Sequence, residues 1–386
     1  MSGIRNGVQA LVKWEEARAL YVHCLAHSLN LCVQEVTRKC VIVRNVMDFI
    51  YELVQLIKFS PKRLYVFDSL RKNVVVSGGE STPRLRTLCP TRWTVRHASI
   101  NSILLNYEIL LTTLEEVQKG HDNYAAKASG LRVRMESFDI YFGLKLAYLF
   151  FSAAEQFSIN LQAQNITIQE ATHGAELLAS HLKSLRTEAQ FNHFYEQVVS
   201  QSSTLTEEPK LPRSRKMPKR YDDGEHPHQY LVPKDKYRHT YFETLELAIG
   251  VIERRFEQSD LSTIKEIENL LLNAANGRDI EPISDVVLNF LENDVDHSRL
   301  KIQLLMLPDM IKTAFANISI KKVTNVRTIA DAMQQSEIYR GMLSEIDKVL
   351  KIYLTFPVTS ATAERSFSSL RRVKTYLRNA ESLQTK

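Results

Sequence analysis

Tyr21 to Leu31 reads YVHCLAHSLNL and holds a Cys-x-x-His pair, Cys24 and His27. A thiolate and an imidazole at that spacing form half of a tetrahedral zinc site, whose other half is usually a second short-spaced pair. The nearest further thiols, Cys32 and Cys40, fall on segments with continuous helical spacing. That pattern does not bring four ligands to one point. Burial of Cys24 beside a hydrogen-bonded His27 is therefore the better-supported state, and a zinc centre the lesser one.

A second group lies in PRLRTLCPTRWTVRH, residues 83–97. It combines Arg84, Arg86, Arg92, Arg96 and His97 with Trp93, one of two tryptophans in the chain. Guanidinium groups hold phosphates while an indole face stacks on a base. A tryptophan among arginines also serves as a packed surface anchor, and the residue types alone leave both readings open. A third candidate is Glu364 in TSATAERSFSSLRRVKTYLR. Thr359 or Ser360 can cap a helix there. Glu364 then falls in its first turns, just beyond the apolar run VLKIYLTFP, which reads as a strand ended by proline. Ala363, Phe367, Leu370 and Leu377 share one stripe of that helix.

The elements that must carry these groups are mostly helical. Glycine is scarce, 12 in 386 residues, and helix-period segments dominate. ALYVHC reads as a short buried strand, followed by helical spacing at Leu29, Cys32, Val33 and Val36. Val43, Val46, Met47, Ile50, Val54 and Ile57 form the next stripe. Ser60 and Pro61 then suit the cap and first position of a further helix. Ile100, Ile103, Leu104, Tyr107, Leu110, Leu111, Leu114 and Val117 predict one wide helical face. Similar stripes occupy 133–162, 168–200, 237–258, 261–275, 284–292 and 297–315. Residues 202–236 interrupt them, rich in proline and charge, with a basic centre from Lys210 to Arg220. They read as an exposed loop, either a solvated linker or a patch for DNA backbone or nuclear import.

Composition narrows the function classes. Hydrophobic residues at 44% and charged residues at 24% are ordinary for a globular chain. A net charge of +6 permits a nucleic-acid partner without demonstrating one. Four cysteines in so long a chain argue for a reducing compartment and no disulfide framework. No apolar signal core opens the sequence, and LKLAYLFFSAA, interrupted by Lys145, is too short to span a membrane.

Taken in order, CLAHSLNL, CPTRW, a long helical region and TSATAERSFSSLRRVKTYLR resemble the hAT superfamily of DNA transposases. The nearest look is to transposon-derived relatives of the zinc finger MYM-type protein 1-like kind. The resemblance implies a mainly α fold with a small α/β part, an RNase H-like core interrupted by a large all-α insertion. Residues 1–97 would be a core segment, 98–340 the insertion, and 341–386 the last core strand and helix with an incomplete dimerisation region.

In that family two strand-borne Asp residues and a late helical Glu bind two Mg²⁺ ions. Glu364 matches the Glu, and Cys24 and His27 match a Cys/Asp-x-x-His motif beside the active site. Trp93 matches a tryptophan that stacks on a flipped base, with Arg84, Arg86, Arg92 and Arg96 around it as candidate DNA contacts. Phe367, Leu370 and Leu377 belong to the dimerisation region. Two metals share an attacking and a leaving oxygen, and each needs carboxylate oxygens. The first Asp here is Asp48, mid-helix, so both catalytic Asp residues are expected upstream of Met1. The expectation is a hAT transposase-like protein without catalysis and without a cofactor, Mg²⁺ entering only if the missing acids are restored. Its expected partners are a second copy of itself and DNA, with no membrane, and its expected place is the nucleus, otherwise the cytoplasm. The alternatives are a fragment of an active transposase and a helical scaffold without a nucleic-acid role.

Overall fold

The computed structural model describes residues 7–73, 82–88, 95–162, 166–211, 230–257, 259–316, 322–356 and 366. Every regular element among them is an α-helix, from α1 (Val8–Glu15) to α17 (Ser344–Thr355). The mainly α expectation holds, but no strand occurs among the described residues.

Both expected strands need correction. Tyr21 to Cys24 has no regular structure and leads directly into α2 (Leu25–Lys39). A strand needs a neighbour to pair its backbone, and here the Cys24 carbonyl instead accepts the Ser28 N–H at 2.9 Å, inside the first helical turn. Val349 to Thr355 of the run VLKIYLTFP belong to α17, which buries Ile346, Val349, Leu350 and Tyr353. Those positions follow the helical i, i+3, i+4, i+7 rule, which only emerges when the run is read from Ser344.

The chain divides into two compact units. One comprises residues 29–159 and 176–253. Its α3 (Val41–Lys58) buries Val43, Val46, Met47, Ile50, Val54 and Ile57, the stripe read from the sequence. α4 (Pro61–Asn73) starts as expected, with Ser60 Oγ accepting the Arg63 N–H at 3.5 Å. The long stripe after Ala98 is broken into α5 (Val95–Leu104) and α6 (Tyr107–Gln118). Buried Asn106 makes the break, donating to the Ser102 carbonyl at 2.6 Å and the Pro83 carbonyl at 2.9 Å. α7 (Asn123–Met135) and α8 (Phe138–Leu161) follow.

Glycine at 143 lets α8 approach α3 closely. A Cβ there would lie 2.6 Å from Val46 Cγ2 and 2.9 Å from Ile42 Cγ1. The stripe read over 168–200 is likewise two helices, α9 (Ile168–Leu185) and α10 (Glu188–Ser202). Thr187 caps α10 by accepting the Gln190 N–H at 3.3 Å. α11 (Pro233–Phe256) takes in the last residues of the stretch expected to be a loop over 202–236, of which 212–229 lie outside the described residues. Phe138, Phe142, Phe191, Tyr195, Tyr237 and Tyr241 form an aromatic core between α8, α10 and α11, with ring centroids 4.7–6.5 Å apart.

The other unit comprises residues 1–28, 160–175 and 254–386. α12 (Ser259–Ala275), α14 (His297–Ala314), α15 (Val326–Gln334) and α16 (Glu337–Met342) pack with α17, and α13 (Asp285–Leu291) packs on α12. Ile264, Ile267, Leu271, Leu300, Leu304, Leu307, Ile329, Met333, Ile346 and Val349 are buried there. Burial of such side chains contributes roughly 1.5–3 kcal/mol each, enough to hold short helices that would not form alone.

Candidate functional site

The first candidate, Cys24 and His27, sits where α2 begins. Cys24 is a half-buried thiol outside any disulfide, and His27 is exposed. The expected burial of the pair is therefore met only in part. In α2, Leu25 and Leu29 turn inward, which carries His27 to the outer face. His23 stands closer in, its ring edge-on to Tyr21 at 4.7 Å. Burial, together with the nearby His27 and Arg255, holds its pKa below the ordinary value. Among the described residues no group of three His, Cys, Asp or Glu side chains could hold a metal ion. The residues around Cys24 and His27 do not fit a metal centre, and Glu364 lies outside the described residues.

Cys32 and Cys40 have packing roles. Cys32 Sγ lies 3.6 Å from the Val251 carbonyl oxygen, and Cys40 Sγ lies 3.0 Å from Thr244 Oγ1. Both are buried and lie outside any disulfide.

The arginine group is divided by the fold. Residues 82–88 run as an extended segment pinned at both ends. Arg71 Nη1 donates to the Thr82 carbonyl at 2.5 Å, and Thr82 Oγ1 donates to Asn106 Oδ1 at 2.5 Å. At the other end Lys58 Nζ donates to the Leu85 carbonyl at 3.4 Å and to Thr87 Oγ1 at 3.0 Å. Arg86 is held by its backbone: its N–H donates to Ser102 Oγ at 3.3 Å, and its carbonyl accepts from Ser99 Oγ at 2.7 Å. Leu85 is buried while Arg84 and Arg86 are exposed, the alternation of an extended chain.

Arg96 and His97 take another course. Arg96 Nη1 donates to Thr37 Oγ1 at 3.2 Å, and its guanidinium lies 5.9 Å from the Phe151 ring centroid. Burial pushes its pKa below the ordinary value. His97 Nδ1 lies 2.5 Å from Glu155 Oε2. Arg84 and Arg86 are thus brought together on the surface, and Arg96 and His97 are built into helix packing. Arg92 and Trp93 lie outside the described residues.

The third candidate begins at α17. Its N-cap, Leu343, has no side chain able to cap it. Gln303 of α14 supplies the missing acceptor: its Oε1 accepts the Glu345 N–H at 2.8 Å and the Ile346 N–H at 3.2 Å. Glu345 answers at the other helix start, where its Oε2 accepts the Asp296 N–H at 3.0 Å. Burial pushes the Glu345 carboxyl up, but hydrogen bonds from Lys348 and the Asp296 amide outweigh it and hold its pKa below the ordinary value. The far half of α17 packs on α12, where Glu268 is fully buried and its Oε2 accepts the Gln169 N–H at 3.3 Å. Burial raises the Glu268 pKa, and hydrogen bonding only partly opposes it.

The sequence reading did not single out Gln303, Glu345, Lys58 or Glu268. A leucine at a helix start, where Ser, Thr, Asp or Asn is usual, was the one available sign that a distant side chain must cap α17. Glu364, Phe367, Leu370 and Leu377 fall outside the described residues.

Residues 343–386 match the model of the hAT family C-terminal dimerisation region. The match supports hAT-family membership, and it starts at the residue from which α17 springs. No solved structure matches the chain. No helix among the described residues is long and apolar enough to cross a membrane.

Proposed function

We propose that this chain is a transposon-derived, hAT transposase-like protein that associates with itself through residues 343–386 and acts on DNA by binding rather than by cutting. The observation that carries the reading is the match to a dimerisation region over those residues. The capping of α17 by Gln303 supports it, because a firmly held first helix gives the rest of the region a rigid base. Phe367, Leu370 and Leu377 supply an apolar stripe to bury, and a two-fold pair is the commonest way to bury one.

Cleavage is not part of the reading. The resemblance calls for three metal-binding carboxylates, and in residues 1–386 only Glu364 corresponds to one of them. An RNase H-like core built from 1–97 and 341–386, with 98–340 as the insertion, belongs to the same proposal, as do a nuclear site of action and kinship with the zinc finger MYM-type proteins. Light scattering over a wide concentration range tests self-association. Mass should rise towards that of a dimer, and Leu370→Asp should hold the chain at monomer mass with unchanged helix content. A strict monomer at high concentration would remove the reading.

A further inference from the structure

We propose that the outer side of α14, formed by Ile302, Leu305 and Met306, is part of the surface through which two copies of this chain meet. The inference rests on the self-association reading and extends it to residues outside the matched segment 343–386.

α14 is apolar on two opposite sides. At about 100° per residue, Leu300, Leu304, Leu307 and Ile311 fall within a sector of about 60°, and all four are buried. Ile302, Leu305 and Met306 occupy a sector of about 100° on the far side, where they are 62%, 70% and 37% exposed. A helix that is hydrophobic all round is ordinarily buried all round. One side of α14 packs against α12, α15 and α17, while the other faces water. The helix ends that flank these side chains are polar and ion-paired. Arg299 lies 3.6 Å from Asp296, and Lys312 Nζ lies 3.0 Å from Asp309. An apolar centre inside a polar rim is the anatomy of a protein interface.

Gln303 joins this side to the dimerisation region. Its Oε1 accepts the N–H groups of Glu345 and Ile346, and its Nε2 donates to Ser344 Oγ at 3.4 Å. Those residues open α17 and follow Leu343, the first matched residue. Met306 lies one turn beyond Gln303 and about 60° round the helix, a spacing that puts side chains about 5–6 Å apart at their base. The apolar side thus begins within a side chain's reach of the region that pairs.

Exposed apolar side chains occur elsewhere too, as at Val8, Leu11 and Val12 of α1. Those stand on a helix with no buried residue, whereas α14 is fixed in the core and bonded to α17. A face already held rigid loses little freedom on pairing. Three side chains cover only part of the roughly 800 Å² that each partner of a stable pair contributes. The α14 face therefore adds to the segment 343–386 and does not replace it. A two-fold pair would bury the same patch on both copies.

Sedimentation equilibrium of the full chain tests this. Leu305→Ser and Ile302→Ser should each weaken dimerisation about tenfold, because each removes apolar surface buried on pairing. Leu11→Ser, on α1, should leave it unchanged. Denaturant unfolding at a concentration where the chain is monomeric should give one midpoint for the wild type and all three variants, since these side chains face water in a single copy. If the two α14 variants dimerise like the wild type, the α14 face is no interface, while self-association through 343–386 still stands on the loss seen in Leu370→Asp. If they lower the monomer's midpoint, another part of the same chain covers the face, and the proposal is overturned. It is overturned equally if Leu11→Ser weakens dimerisation as much, because the loss then reflects exposed apolar side chains in general. A wild type that stays monomeric at every concentration removes both the α14 face and the self-association reading.

Discussion

Gln303 of α14 caps α17 from outside: its side-chain oxygen accepts the N–H groups of Glu345 and Ile346 at 2.8 and 3.2 Å. Glu345 in turn accepts the Asp296 N–H, where α14 begins. The two helix starts are thus tied to each other, while Asp296 itself caps α14 by accepting the Ser298 and Arg299 N–H groups.

Removing that oxygen leaves two N–H groups unsatisfied in a buried place. Gln303→Leu should therefore destabilise the chain by about 2–6 kcal/mol, from roughly 1–3 kcal/mol for each of two buried orphan donors. Denaturant unfolding measures the loss. Hydrogen exchange gives the local signature, with faster exchange at Glu345 and Ile346 than elsewhere in α17. Uniform acceleration across the unit would mean that Gln303 acts by packing alone.

Two buried glutamates, Glu345 on α17 and Glu268 on α12, should shift stability in opposite directions with pH. Burial raises the Glu268 pKa above 4.5, so folding favours the protonated form. Its contribution is full below 4.5 and lost as pH rises through the folded value. Glu345 lies below 4.5 in the folded chain, so its contribution is full above 4.5 and lost as pH falls through the folded value. Urea unfolding across pH should show Glu268→Gln flattening the decline above 4.5, and Glu345→Gln flattening the decline below it. An unchanged slope in Glu268→Gln would show that the carboxyl is solvated.

Helix propensity and packing compete at Gly143. Replacing a helical glycine with alanine normally adds about 0.5–1 kcal/mol of stability. Gly130 and Gly250, with nothing within 4 Å of a built Cβ, should follow that rule. Gly143→Ala should go the other way by about 1–3 kcal/mol, because its Cβ would press on Val46 and Ile42. Thermal unfolding of the three variants gives the comparison, and a stabilised Gly143→Ala would mean that α3 and α8 yield easily.

Residues 1–386 should neither nick nor join DNA in the presence of Mg²⁺. One of three carboxylates cannot hold two metals. A plasmid nicking assay checks this. Metal-dependent cleavage that disappears in Glu364→Gln would place the other two acids inside the chain.

Much of the helical framework was legible because its stripes are strong. Val43 to Ile57 follow the helical period without a gap, and Ser60-Pro61 announces the next start. The breaks were harder to see. Asn106 interrupts an apolar pattern that is otherwise continuous, and it does so for hydrogen bonds to Pro83 and Thr82, far away in sequence. Thr187 parts α9 from α10 by a local cap instead, accepting the Gln190 N–H. The misread strand at Val349 to Phe356 shows a different limit: β-branched and aromatic residues suggest a strand locally, while burial at Ile346, Val349, Leu350 and Tyr353 follows the helix. Among the arginines, residue type gave no hint that Arg84 and Arg86 face water while Arg96 is drawn against Phe151 and Thr37. That sorting depends on Ser99, Ser102 and Lys58, whose carbonyl and amide partners leave no trace in a one-dimensional pattern.

Self-association through the last segment is most directly tested by sedimentation equilibrium of two proteins of identical composition. One is the natural chain. The other carries residues 357–386 in scrambled order, which keeps length and charge but destroys the stripe of Phe367, Leu370 and Leu377. The natural chain should move from monomer to dimer as concentration rises, while the scrambled chain stays monomeric with the same helix content. Equal dimerisation of the two, or none in either, would contradict the assignment.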